Sequence, residues 1–251
     1  MAPVSTKAIL LRAHPYGETS RVLRFLTEDQ GLLGVMAKGV RGRGGKGATA
    51  LSTFASGILT VYVRPGRDLH TMQDFACTRL RGGLASSVIR FGGASSISEL
   101  VLAHVETEPH PGLYRAMESA LDRLETVPEE LAFTAALAGL WGIVGSFGFA
   151  PELVTCIRCG EPLDAEEIGR FDLAAGGVLC ARCAEGSPGP RVGPLARGQI
   201  QALLESRVSD PVGHARRHLA LVSDFVAYHV ANRPLRSLRF LGEALPPEPE
   251  A

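Results

Sequence analysis

SRVLRFLTEDQGLLGVMAKGV, residues 20–40, holds two apolar runs, SRVLRFLT and GLLGVMAKGV, parted by the turn-forming Glu-Asp-Gln-Gly. Each run is short and rich in Val, Leu or aromatic residues, a composition that favours a pleated strand. Working outward, VSTKAILLRA precedes them across Pro-Tyr-Gly, and SGILTVYVRPG and HTMQDFACTRL follow. Five strands within residues 4–81, with glycine and proline at their ends, predict a small barrel. Among five-stranded barrels the OB-fold is favoured, because near-closure manages the strand edges and leaves the connecting loops for ligands.

Beyond residue 81 the pattern changes, and from about residue 94 it becomes helical. Ser96 and Glu99 have capping-box spacing, and Ile97, Leu100, Val101 and Val105 form an apolar stripe, which predicts a helix opening at Ser96. PGLYRAMESALDRLETV and PEELAFTAALAGLWGIVGSFGF follow, each with a proline near its first turn. The latter is apolar nearly all round and diluted by glycines, so it reads as a central buried helix and not as a membrane span. PLARGQIQALLES and PVGHARRHLALVSDFVAYHVANRP are the last long helical stretches, and the tail PPEPEA reads as disordered. The expected organisation is an OB-fold nucleic-acid-binding domain over 1–81 and an α-helical domain over 82–251. Within the second, a zinc module is inserted at about 152–187.

Charge divides along the same line. The whole chain sums to zero, yet residues 1–81 hold twelve Lys or Arg against five Asp or Glu, a net of +7, which leaves −7 for the rest. A polyanionic partner is therefore expected to meet the barrel. The N-terminus has only a short apolar core around Ala8 to Leu11, too short for a signal peptide, so a cytoplasmic, nucleoid-associated location is expected.

AKGVRGRGGKGAT, residues 37–49, concentrates that charge in Lys38, Arg41, Arg43 and Lys46 without a carboxylate. Gly42, Gly44 and Gly47 spell G-x-G-x-x-G, but no strong helix follows and no acid lies between Asp29 and Asp68, which excludes a dinucleotide fingerprint. A P-loop fails because Gly47 follows Lys46 where Ser or Thr is needed. A flexible cationic loop between barrel strands suits phosphate binding through counterion release. Phe25, Phe54, Tyr62 and Phe75 are candidate stacking platforms or core residues. Arg21 and Arg24 are further candidates for DNA contact, although a separation of three puts them on opposite faces of one strand.

Cys156-Ile-Arg-Cys159 and Cys180-Ala-Arg-Cys183 form the pattern C-x2-C-x20-C-x2-C. Two residues between cysteines let one tight turn aim both sulfurs at one ion, and two such knuckles complete a closed tetrahedral shell. The expected cofactor is one structural Zn2+ per chain. A disulfide pair is the alternative, disfavoured in a reducing cytosol. A β-ribbon tip is expected around Gly176-Gly177, and Cys77 reads as a small core residue.

Several of these landmarks stand in one order. Tyr16-Gly17-Glu18-Thr19-Ser20 precedes VLRFLT, then come Gly31 and Ala37-Lys38-Gly39-Val40-Arg41, a helical region, Gly148-Phe149-Ala150-Pro151 and Cys156-x2-Cys159. In that order the chain resembles the RecO family of bacterial recombination mediators over essentially its whole length. The resemblance implies an N-terminal OB-fold, a helical C-terminal domain with a zinc-binding insertion, binding to single- and double-stranded DNA, and annealing of complementary strands. It also implies work with RecR to load RecA onto DNA coated by single-strand-binding protein, whose acidic C-terminal tail the family engages. Carried onto this chain, DNA contact falls on Lys38, Arg41, Arg43 and Lys46, with Arg21 and Arg24 as secondary candidates. Arg216, Arg217 and Arg236 either pair with an acidic tail or form a solvated helix face.

No catalytic constellation emerges. The seven histidines are scattered, and His214 and His218, four residues apart, lack a third ligand. Neither an enzyme, a small-molecule substrate nor a membrane partner is expected. The competing reading is a zinc-stabilised protein scaffold without direct DNA binding, and a metal-dependent nuclease is a third.

Overall fold

A computed structural model describes residues 2–41, 51–104 and 108–245. Arg43, Lys46 and the loop glycines Gly42, Gly44, Gly45 and Gly47 lie outside the described residues, as do Val105 and the tail from 246.

The barrel consists of β1 (Val4–Tyr16), β2 (Ser20–Thr27), β3 (Leu32–Ala37), β4 (Ser56–Tyr62) and β5 (Leu69–Arg79). They close in the order β1-β2-β3-β5-β4, the OB arrangement expected from the sequence. All neighbours are antiparallel except β3 and β5, which pair in parallel. β1 runs through Pro15 and Tyr16, so the turn expected at Pro-Tyr-Gly falls at Gly17–Thr19. Ala8, Leu10, Leu23, Phe25, Val35, Leu59 and Val61 fill the interior. Their strand neighbours Ile9, Leu11, Leu26 and Leu32 face outward, yet they are buried too, because they pack against the helices. Burial on both faces explains the unbroken apolar run Ala8–Leu11, where a solvated barrel would alternate.

The helices are α1 (Val88–His104), α2 (Pro111–Thr126), α3 (Ala132–Ser146), α4 (Pro194–Leu204), α5 (Ala215–His229) and α6 (Arg236–Glu243). Helix α3 is buried along almost its whole length, as its composition predicts. Helix α1 corrects the sequence reading, for it opens at Val88, well before Ser96. The Ser87 hydroxyl accepts from the Ile89 and Arg90 N–H groups at 3.2 and 3.4 Å and so caps the helix. Gly92 and Gly93, which look like breakers, are contacts: a Cβ at Gly93 would stand 2.6 Å from Ala136 Cβ of α3. Close helix packing outweighs their poor propensity.

Ser96 and Glu99 consequently sit inside α1 and cap nothing there. The Ser96 hydroxyl donates to the Gly92 carbonyl at 2.8 Å. Glu99 accepts from the Ser237 N–H at 2.9 Å and from the Ser237 hydroxyl at 2.5 Å, fixing the start of α6. Burial opposes its ionisation, but the Ser237 and Arg236 donors and the Arg233 charge hold its carboxyl below the ordinary value. A depressed carboxyl stabilises the fold above its unfolded value near 4.5 and loses that contribution as pH falls through the folded value. Glu99→Gln is therefore expected to cost roughly 1.5–3 kcal/mol at pH 7 and nothing further in acid. Urea midpoints at pH 7 and pH 3 check this; an equal loss at both would remove the carboxylate as the cause.

Buried arginines join the layers. Arg90 of α1 donates to the Leu124, Glu125 and Val127 carbonyls at the end of α2, and to Glu129 Oε2 at 2.9 Å. Arg81, just past β5, ties barrel to helix: its Nη1 donates to the Phe54 carbonyl at 2.7 Å and to Ser56 Oγ at 2.6 Å, and its Nε to Asp122 Oδ1 of α2 at 2.6 Å.

Candidate nucleic-acid interface and metal centre

Three of the four described candidate cations gather at one end of the barrel. Arg21 is opposite Pro15 on one side and Ala37 on the other, so it lies one position from Lys38 in the neighbouring strand. Lys38 is exposed, and Gly39 turns the chain with φ +72°. Arg41 is held at the loop's root: its N–H donates to the Thr19 carbonyl at 2.9 Å and its Nη1 to the Gly17 carbonyl at 3.1 Å. The β1–β2 turn thus anchors the segment leading into residues 42–50. Arg21 reaches the far end of that segment, donating to the Leu51 carbonyl at 3.5 Å.

Arg24 stands apart. It shares the outer face with Leu26 and lies over Gly34, whose added Cβ would approach Arg24 Nη1 to 3.2 Å. The aromatic candidates change more. Phe25 and Phe75 pack together in the barrel core with ring centroids 5.1 Å apart, and Phe54 is buried beneath the helices, so none of the three presents a face to solvent. Tyr62 alone of that set is exposed.

The metal candidates converge. The four sulfurs of Cys156, Cys159, Cys180 and Cys183 all lie within 4.8 Å of one another. Metal–sulfur bonds of about 2.3 Å place tetrahedral sulfurs about 3.8 Å apart, and those of Cys159 and Cys180 are 3.9 Å apart. Each knuckle closes alike: Gly160 N–H donates to the Cys156 carbonyl and Ala184 N–H to the Cys180 carbonyl, both at 2.8 Å. Further N–H groups point at sulfur, from Cys180 to Cys156 Sγ at 3.3 Å and from Cys183 to Cys180 Sγ at 3.4 Å. Burial opposes ionisation of Cys156, yet the N–H groups of Cys180, Cys159 and Arg158 draw its thiol down to about 6. The Cys180 sulfur, then burial and the Cys159 and Cys156 sulfurs, push Cys183 up to about 12. Four sulfurs this close ionise together only around a cation, so the donor set fits a soft divalent ion.

The second variable position of each knuckle is arginine, and the two cross over. Arg158 donates to the Cys183 carbonyl and to Ser187 Oγ, while Arg182 hydrogen-bonds the Cys159 sulfur. Around a bound divalent ion, two cations would thereby offset the negative charge of four thiolates. Sequence spacing found the ligands but not this pairing.

The expected ribbon is β6 (Gly169–Asp172) and β7 (Gly177–Leu179), joined by a turn ending in Gly176 at φ +73°. β8 (Arg191–Val192), just beyond residue 187, pairs with the other side of β6. Phe171 and Val178 sink into the helical core, His229 Nε2 donates to the Leu173 carbonyl at 2.7 Å, and Arg197 donates to the Asp164 carbonyl at 2.7 Å.

Three further histidines have local partners. His110 Nδ1 caps α2 by accepting from Leu113 N–H at 3.0 Å, and His70 Nδ1 accepts from Arg64 N–H at 3.2 Å. His218 is buried, 2.9 Å from Gln199 Oε1, and burial first and His214 second lower its pKa. Of the basic residues considered for an acidic tail, Arg216 donates to the Leu245 carbonyl at 2.6 Å and helps fasten α6 to α5. Among the described residues no helix is long and apolar enough to cross a membrane.

Comparison with known proteins agrees with this architecture. Residues 1–81 match the model described as Recombination protein O N terminal, and residues 85–239 match Recombination protein O C terminal. A protein of Anaeromyxobacter sp. (strain K) named DNA repair protein RecO is 32% identical over 258 residues, covering 98% of each chain. The like-named protein of Anaeromyxobacter dehalogenans (strain 2CP-1 / ATCC BAA-258) is 32% identical over 250 residues, 95% of each. That of Rubrobacter xylanophilus is 32% identical over 205 residues, 82% of this chain and 81% of the relative.

Proposed function

The chain belongs to the RecO family, and on that premise we propose that it is a DNA-binding recombination mediator acting in DNA repair. It binds single- and double-stranded DNA through the open end of its barrel and anneals complementary strands. With RecR it helps load RecA onto DNA coated by single-strand-binding protein, whose acidic tail it engages. The observation that carries this reading is the gathering of Arg21, Lys38 and Arg41 at one end of an OB barrel, at the two ends of the segment that contains Arg43 and Lys46. Annealing needs no catalytic group, because screening phosphate repulsion and juxtaposing strands suffices. The setting is the cytoplasm, at the nucleoid.

The division into an OB domain over 1–81 and a helical domain over 82–251, with the module inserted at about 152–187, is part of this proposal. The ion it assigns to Cys156, Cys159, Cys180 and Cys183 is one structural Zn2+, since a closed four-thiolate shell leaves no position for substrate.

Fluorescence anisotropy of labelled single-stranded DNA across a salt series tests DNA binding. Each phosphate contact on a single strand contributes about 0.7 to the slope of log K against log salt. Arg41→Glu with Arg43→Glu is therefore expected to flatten the slope by about 1.4 and weaken binding tenfold or more at low salt, irrespective of base sequence. An unchanged slope would remove the loop from the interface, and no binding by the unaltered protein at low salt would favour a protein scaffold.

A further inference from the structure

A groove of about 700 Å³ opens where the barrel meets α1, with Arg21, Leu51, Phe54, Leu80, Arg81 and Phe91 among its lining residues. The lining holds no carboxylate, and its unpaired positive charge is that of Arg21, since Arg81 is buried and paired with Asp122. It also adjoins the basic loop. Leu51, the first described residue after that loop, belongs to the wall, and Arg21 holds the Leu51 carbonyl. Among the lining residues, Phe91 and Leu80 are large apolar side chains left 46% and 45% exposed.

The support beneath Phe91 is strained and firmly held. Phe54 meets the Phe91 ring edge-on, with centroids 5.9 Å apart and planes at 66°. Its backbone has φ +72°, a left-handed conformation that costs a bulky residue roughly 1–2 kcal/mol. The Arg81 guanidinium clamps the Phe54 carbonyl, while Phe54 N–H donates to the Leu10 carbonyl at 2.7 Å. Such a conformation persists only where its surroundings over-determine it, and ligand clamps are a frequent place for it.

We propose that this groove is a base-stacking site for single-stranded DNA, with Phe91 of the helical region as the platform and Arg21 holding the adjoining phosphate. Charge complementarity commits it to that occupant: a polyanion drawn by Lys38, Arg41 and the loop meets the groove at the loop's root. An aromatic face gives sequence-tolerant affinity for an unpaired base and none for a base inside a duplex. The barrel's own Phe25, Phe54 and Phe75 are spent on packing, so Phe91 takes the part that barrel aromatics have in other OB-folds. The assignment rests on the DNA-binding reading above and adds strand selectivity to it.

The test compares three full-length proteins on a labelled single strand and on a duplex of equal length. Phe91→Ala is expected to weaken single-strand binding about tenfold while leaving duplex affinity and the salt slope unchanged, because stacking releases no counterions. Phe91→Trp is expected to retain single-strand affinity and to lose fluorescence on binding; the native Trp141 is buried in the helical core, so the change reports position 91. Phe91→Ala binding the single strand as tightly as the unaltered protein, with no quenching in Phe91→Trp, overturns this proposal and leaves the cationic loop standing. Failure of the unaltered protein to bind either DNA overturns the DNA-binding reading itself. Equal losses on single strand and duplex would place Phe91 in general folding and also overturn the stacking role.

Discussion

Cys156→Ser and Cys180→Ser are each expected to abolish metal binding, taking bound zinc from about one equivalent per chain to none. Each change removes one corner of a closed shell whose four sulfurs lie within 4.8 Å. The knuckles have little else to hold them. Their cluster consists of Cys156, Leu179, Cys180 and Ala184, flanked by Ile157, Leu163 and Cys183, so a bound ion would supply much of their folding free energy. Four-thiolate zinc sites reach apparent binding energies of about 10–16 kcal/mol, and losing even a third of that lowers the melting temperature of a chain this size by about 10 °C. The damage should be local at first. Amide exchange is expected to speed up at Gly160, Cys180, Cys183 and Ala184, whose N–H groups donate within the knuckles. The ribbon should stay protected longer, since Phe171 and Val178 are anchored in the helical core. Zinc retained in either variant would refute the ligand set. Exchange accelerating equally in the barrel would show that the module supports the whole chain.

Arg81→Ala is the second large effect, expected to destabilise the protein by about 3–5 kcal/mol, because it removes a buried side chain that makes three hydrogen bonds. The Arg81 side chain is fully buried, beside an Asp122 side chain that is 33% exposed. Its loss strands the Phe54 carbonyl and the Ser56 hydroxyl in a buried place and opens a cavity between barrel and helices. It also releases the left-handed Phe54, so part of the penalty is returned as relieved strain. Asp122→Ala leaves the buried guanidinium without its counter-ion and should cost a comparable amount, and the double variant should cost less than the sum of the two, because the pair is coupled. Urea unfolding midpoints measure all three. A loss under 1 kcal/mol for Arg81→Ala would mean that water replaces the guanidinium and that apolar packing and the Arg79 ion pairs hold the barrel to the helices.

Strand and helix were legible to different depths. The barrel's runs could be read because valine, leucine and aromatic residues end at glycine and proline. The start of α1 could not, because its glycines are there for tight contacts with α3 and α6, and those contacts join residues far apart in the chain. Ser96 and Glu99 misled for a related reason. Capping-box spacing is a local signal, whereas Glu99 caps the distant helix α6 through Ser237. The cationic candidates show the same divide: Lys38, Arg41 and Arg21 were named from charge, and their spacing already set Arg21 and Arg24 on opposite faces, but only strand register puts Arg21 beside Lys38.

By itself the sequence determined the five-stranded barrel, the buried central helix α3, the bipartite charge and the four-cysteine cluster with its ribbon. Each is written in spacing or composition over a short span, where local geometry leaves few alternatives. Tertiary structure alone decided that the barrel's outer face is buried at Ile9, Leu11, Leu26 and Leu32, since alternation along a strand cannot reveal a helix packed on its far side. It also decided that Phe25, Phe54 and Phe75 serve the core while Phe91 is left half-exposed in the groove that Leu51 also lines. A side chain's exposure is set by what folds over it, and for these four aromatics the covering residues come from segments tens of positions away.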